Sequence, residues 1–519
     1  MDRRRFLWTS ASALALTASS SMRLALAQDE QAQGATAFSF DSLTDRMRQK
    51  AQEPYQAAES SLPKSIQDFT VAEYRAIQYR PDRALWRGGD GLYEVQAFHP
   101  GWLFKQPVRM FEVVDGRANP VIFSAADFEY RAPLDPSRFA GFELPGIAGF
   151  RLHYPLNRPD YRDELVSFLG NSNFRALGRN SIYGLSARGL CLNTASDTQE
   201  EFPAFTEFYL ERPEAGRGLM RIWAALEGPS VTGAYAFEIR PGANTIVDVK
   251  ARLFFREAVE RLGVAPLSSM FLFGENENRG FDDYRPEVHD SDGLIIVNGD
   301  GEEIFRPLRN PSSLRVSFFS VNNPARFGLS QRDRAFDHYQ DLSARFGLRP
   351  SVWIEPRNDW GPGRIFLAEV PTDSEGNDNI VAFWQPETEP AAGDAREFNY
   401  RMIWGSVAES RDDLARVVDT FSGRIGRPGA KPDPNSRKFV VDFAGGMLAN
   451  LARETRPMAT VESGSGRIAD MSLTPLTEKG RWRLAIDVQR SSENPVELRA
   501  FLRFNDQRLS ETWLYQWSS

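Results

Sequence analysis

Cysteine is almost missing from this chain of 519 residues. Cys191 stands alone, so no intramolecular disulfide can form, and zinc sites built on four cysteines, or on two with two histidines, are excluded. Between Leu190 and Leu192 it reads as a small buried hydrophobe. Histidine is scarce too. His99, His153, His289 and His338 lie far apart and no His-Glu-x-x-His occurs, so neither a metal nor a cofactor is expected. Lysine is down to a handful, no basic stretch interrupts a net charge of −8, and nucleic acid is excluded as a partner. Beyond the N-terminal segment no run of about 18 uncharged apolar residues occurs, which excludes a membrane-spanning helix. No Gly-rich phosphate loop follows a strand, and Ser186 lacks the Gly-x-Ser-x-Gly elbow of a serine hydrolase.

Aromatic residues are abundant instead. The 37 Phe and 11 Trp, within an apolar share of 41%, make surface that only a folded core can hide. Together with 39 Gly and 32 Pro they suit many short strands joined by turns, and the length allows two to four domains. Asp2-Arg3-Arg4-Arg5-Phe6-Leu7, the mildly apolar Ser10 to Ser19 and the small-x-small exit Ala25-Leu26-Ala27 read as an export signal over residues 1–27. The paired arginines mark it as twin-arginine type, with Asp2 where Ser or Thr is usual. Its removal takes four Arg against one Asp and leaves the remainder near −11, in the bacterial periplasm.

Ser39 to Lys64 reads as helical. From about residue 70, runs such as Gly91 to Phe98, Val108 to Val114, Phe205 to Leu210, Gly233 to Ile239 and Ala251 to Phe255 are strand-length, with turn residues between them. They predict a large antiparallel β-sandwich over 35–405. Arg411 to Val418 could form a helical turn or two, inside a linker at 406–435 whose Ser422 to Ser436 stretch is rich in Gly and Pro. Beyond it, the period-two face of Trp482 to Val488, with Val496 to Phe504 and Trp513 to Trp517, predicts a small immunoglobulin-like sandwich over 436–519.

Two polar clusters could carry chemistry. Phe273 to Gly293 packs seven carboxylates among Phe, Tyr, His, Asn and Arg. Aromatic faces pack on pyranose rings while short carboxylates and amides take hydroxyls, so Phe281, Asp283, Tyr284, Arg285, Glu287, His289 and Asp292 are candidate sugar-binding residues. A calcium loop is the bland rival, but the EF-hand spacing is absent. The second cluster runs Trp353 to Gly361 and Glu369 to Trp384. Asp378 stands just before an apolar run ending in Trp384, where a carboxylate close to buried aromatics could work as a general acid. An Asx turn before the strand is the competing reading. Trp353, Trp360 and Trp384 join Phe281 and Tyr284 as candidates for stacking on sugar.

At these clusters the sequence resembles the periplasmic glucan biosynthesis protein family (OpgG/OpgD, also MdoG/MdoD). The resemblance covers essentially the whole chain after the leader. It is carried by Phe168-Leu-Gly-Asn-Ser-Asn-Phe-Arg-Ala-Leu-Gly178, Tyr183-Gly-Leu-Ser-Ala-Arg-Gly189, Phe281-Asp-Asp-Tyr-Arg-Pro-Glu-Val-His-Asp-Ser-Asp-Gly-Leu294 and Asp378-Asn-Ile-Val-Ala-Phe-Trp384. The twin-arginine leader leans toward the D-type member. The resemblance implies a galactose-mutarotase-like β-sandwich followed by an immunoglobulin-like domain, and a role in making osmoregulated periplasmic glucans with a β-1,2-linked backbone. It further implies inverting endo-β-1,2-glucanase activity, with Asp378 as general acid and Asp290 as general base, Asp292 competing for the second role. A glucan transglycosylase and a non-catalytic glucan-binding or assembly factor, in transient contact with an inner-membrane glucan synthase, are the rival expectations. Oligomeric state is not legible.

Overall fold

A computed structural model describes residues 34–518 except 58–59, 279, 407–412, 427–428, 430, 432, 452–454 and 477–479. The export signal expected at 1–27 lies outside the described residues. The first helix, Phe40–Lys50, opens on a capping box in which Ser39 and Ser42 satisfy each other's backbone N–H groups. It buries Leu43 and Met47 against the outer face of the main sheet. The helix expected as far as Lys64 stops here. Pro54 holds the preceding residue out of helical backbone, and helix resumes only over Lys64–Gln67.

From there strands dominate the regular structure. The expected runs appear as Glu94–Phe98, Arg109–Val114, Ala204–Glu211, Val231–Arg240 and Thr245–Phe255. They fall into a sixteen-stranded and a ten-stranded sheet, mostly antiparallel, whose facing residues make one large apolar core. Its logic is period two. In Ile380–Pro386, Ile380, Ala382 and Trp384 are all buried in that core. The mainly β, sandwich-type class is as the composition implied.

The C-terminal part departs from the expected boundaries. Arg416–Arg424 is a strand, inside the segment read as linker and partly where a helical turn was expected. It pairs with Ser436–Ala444, which pairs with Arg481–Arg490 and that with Gly466–Leu476. Phe439, Val441, Phe443, Leu484, Ile486 and Val488 of this four-stranded sheet face Val496, Leu498, Trp513 and Trp517 across a second core. The four-stranded sheet therefore takes in Arg416–Arg424, ahead of the expected start at 436. The opposite layer is also shared. Thr512–Trp517 pairs in parallel with Glu303–Pro307, so the sixteen-stranded sheet runs unbroken from the large sandwich into the small one.

Candidate active site

Both expected catalytic carboxylates hang on one short strand. In Phe271–Phe273, Phe271 bridges His289 of Val288–His289, and the next residue, Asp290, donates its N–H to Met270 O at 2.8 Å. On its other side Phe271 meets a side chain acting as a strand partner. Its N–H donates to Asn379 Oδ1 at 2.8 Å, and Asn379 Nδ2 donates to the carbonyls of Phe271 and Val370, each at 3.0 Å. Asn379 is buried, and this fixes Asp378 at the mouth of the following strand.

Their surroundings differ sharply. The Asp378 side chain is 34% exposed and opens on a cleft of about 1690 Å³. Ser186 Oγ donates to it at 3.5 Å and the Arg175 guanidinium stands 3.8 Å away. Asp290 is 5% exposed, does not line that cleft, and is ion-paired with Arg349. Arg349 stacks over Phe346, 4.2 Å from the ring centre. A β-carbon at Gly184 would lie 2.8 Å from Arg349 Cβ, so the Tyr183 to Gly189 stretch can approach this closely only with glycine there. Burial draws Arg349 down to about 10; Glu375 and Asp378 oppose the fall and Arg175 adds to it. One guanidinium thus bonds Asp290 while feeling the charge of Asp378.

The other expected sugar-binding residues are placed differently, and none of the ten lines the large cleft. Trp353, Trp360 and Trp384 are 1%, 6% and 1% exposed. Trp360 and Trp384 pack on each other at 5.0 Å in the main core, and Trp353 belongs to the second core beneath Arg326. These indoles sit at inward positions of their strands or pack into the core, so no sugar can reach them. Arg285 donates to Asp283, Asp341 and Glu375 at 2.7, 2.9 and 2.7 Å, which ties three loops together and consumes the hydrogen bonding expected for sugar. Asp292 Oδ2 accepts the N–H groups of Arg332 and Asp333 at 2.6 and 2.9 Å and so caps the loop that follows Ser330. His289 is buried, bonded to Glu287 at 2.8 Å and Gln331 at 2.9 Å. Phe281 stacks on Phe273 at 5.0 Å and lines a separate shallow pocket with Asp373. Tyr284 alone of the ten stands largely in solvent, at 76%.

Apart from Asp378, the cleft is built from residues to which no role in sugar binding was attached. Asn173–Ala176 and Ser186–Arg188 lie side by side, and their alternate residues Asn173, Arg175, Ser186 and Arg188 line it. Tyr183 and Glu164 flank them; Tyr55, Leu103 and Phe202 are exposed apolar side chains along the same cleft. The signal was present in the motifs at Phe168 to Gly178 and Tyr183 to Gly189, which are apolar enough to pass for strands and carry one cationic or hydroxyl residue per turn of the pleat. Away from the cleft, the fold brings together Glu287, Asp333 and His338, with donor atoms within 4.8 Å of one another, a grouping that could hold a metal. Burial, with Asp333, Asp292 and Asp419 nearby, lifts Glu287 to about 8 although Glu275 hydrogen-bonds it.

A β-sandwich with an open polar cleft and a carboxylate in its wall is the class these observations define. The family model described as "Periplasmic glucan biosynthesis protein, MdoG" matches residues 38–517, and the chain belongs to that family. "Glucans biosynthesis protein G" of Cereibacter sphaeroides is 49% identical over all of this chain and 98% of its own length. A protein of the same name from Ralstonia nicotianae is 44% identical over 93% of this chain and 97% of its own. "Probable glucans biosynthesis protein D" of Shewanella oneidensis is 41% identical over 97% and 92%. Relatives of both types thus match along the chain, and those of higher identity carry the G name, against the lean of the leader. A solved polysaccharide lyase aligns at 9% identity and a TM-score of 0.22 over 72% of this chain and 45% of the other, a likeness too slight to carry weight.

Proposed function

We propose that this protein cleaves the β-1,2-linked backbone of periplasmic glucans as an inverting endo-β-1,2-glucanase of the D type, exported folded to the periplasm. The observation that carries this reading is the placement of Asp378, partly exposed in the wall of a cleft large enough for several sugar rings. Inversion needs one protonated carboxyl to donate to the leaving glycosidic oxygen and one carboxylate to activate water on the opposite face. Asp378 takes the first role; Ser186 and Arg175 orient it. Asp290 takes the second. Because Arg349 stands over it, Asp290 acts on the attacking water through intervening water and only after Arg349 moves. The chain's own groups suffice for this reaction, without cofactor.

The burial of Asp290 also favours a second reading, since a base withheld from the cleft suits a factor that binds and guides nascent glucan beside an inner-membrane synthase. Transfer to a sugar hydroxyl in place of water is a third. Incubation with linear β-1,2-glucan separates them by product length. Shorter chains support hydrolysis, longer chains mean transfer, and unchanged chains with measurable binding mean the guiding role.

A further inference from the structure

The cleft cations differ in one respect. Among the described residues lining it, Arg109 pairs with Glu207, Lys50 with Glu227 and Arg175 with Asp378. Arg256 donates to the carbonyls of Glu53, Lys50 and Gly228. Lys105 is 3.9 Å from Asp68. Among the described residues Arg188 has no carboxylate or carbonyl partner, and its side chain hydrogen-bonds only the Cys191 thiol. Its guanidinium lies over the ring of Phe202, 5.4 Å from the centre, beside the buried Cys191 thiol, and its Nε is buried without an acceptor. A guanidinium that faces a cleft without a carboxylate against it, beside an exposed aromatic face, can take an anion there.

Its position says what carries the anion. Arg188 follows Ser186 by two residues on one strand, with Ala187 between them turned into the core. Arg188 therefore faces the cleft about 7 Å along the strand from the residue that touches Asp378. That is the reach of a neighbouring sugar unit. Phe202, 48% exposed, offers that unit a flat apolar face. We propose that Arg188 and Phe202 form a subsite for an anionic substituent, a carboxylate or phosphate ester, borne on the saccharide chain next to the bond held at Asp378. The proposal rests on the glucan reading above and adds to it a preference for charged over neutral chains.

The test is titration calorimetry of the intact protein with three β-1,2-gluco-oligosaccharides of equal length: unmodified, carboxylated and phosphorylated. At least one anionic form should bind roughly tenfold or more tightly than the neutral one, as expected for a charge-assisted bidentate contact, and added salt should narrow the gap. Which form gains identifies the anion. In Arg188→Gln the anionic and neutral affinities should converge, whatever the neutral value becomes, while Arg188→Lys should keep part of the preference. Equal binding of neutral and anionic chains by the natural protein overturns the subsite and leaves the glucan reading standing, as does a preference that survives Arg188→Gln. Failure of all three to bind contradicts both.

Discussion

Glu287, buried and hydrogen-bonded to Glu275, ties stability to pH. Its carboxyl titrates at about 8 in the folded chain against 4.5 as the ordinary value. Between those pH values the unfolded chain has released a proton that the folded chain keeps. The neutral carboxyl's contribution is full below about 4.5 and is lost as pH rises through 8, at up to about 1.4 kcal/mol per pH unit. Urea unfolding at pH 5 and pH 8 should show this fall in the natural protein and a flatter profile in Glu287→Gln; parallel profiles would remove Glu287 as its source. At this scale the sequence was legible in part. Asp378 and Asp290 stood out because they sit in long motifs, and the structure holds them to neighbouring residues, Asp290 to Met270 and Asp378 through Asn379 to Phe271. The tryptophans misled, since an indole in a strand looks the same in sequence whether it faces a groove or the core. The alternation of Ile380, Ala382 and Trp384 was the available clue, and it points inward. Arg349 could not be read at all: its pairing with Asp290 joins positions 59 residues apart.

Among the elements, the short strand Phe271–Phe273 organises the site, and Asn379 is what joins Asp378 to it. Removing that amide leaves a buried N–H and carbonyl of Phe271 without partners. Asn379→Ala should cost about 1–3 kcal/mol in urea unfolding, and any turnover should fall although Asp378 is intact. Unchanged stability would mean the Asp378 loop is held elsewhere. Strands such as Val231–Arg240, read as Gly233 to Ile239, were legible to within a residue or two, whereas only the second half of Thr245–Phe255 was. Two-residue and three-residue strands were not, because Val288–His289 and Phe271–Phe273 owe their form to tertiary partners rather than to pattern. Arg416–Arg424 was hidden in the same way, its polar edge residues reading as linker.

For the whole molecule, the two sandwiches share a sheet and a buried ion pair. Arg332 donates to both oxygens of Glu511 at 2.6 and 2.9 Å, and Glu511 also accepts the Val417 N–H at 2.6 Å. A fragment spanning 436–519 lacks Arg416–Arg424 and leaves Glu511, 0% exposed in the intact chain, without its cation. We expect it to show no cooperative thermal transition by circular dichroism, whereas a cooperative transition would establish the small sandwich as autonomous. Two apolar cores were legible from composition and alternation. Their continuity through Ile304↔Thr512 and Phe305↔Trp513 was not, because a parallel pairing of strands some 200 residues apart leaves no local mark. The central claim, that Asp378 is the acid of a glucan-cleaving site, is tested most directly by the turnover of Asp378→Asn on linear β-1,2-glucan, with binding measured alongside. The account predicts a loss of roughly 10²–10⁴-fold, about 3–5 kcal/mol of barrier, with binding retained. Turnover at the natural rate would contradict it.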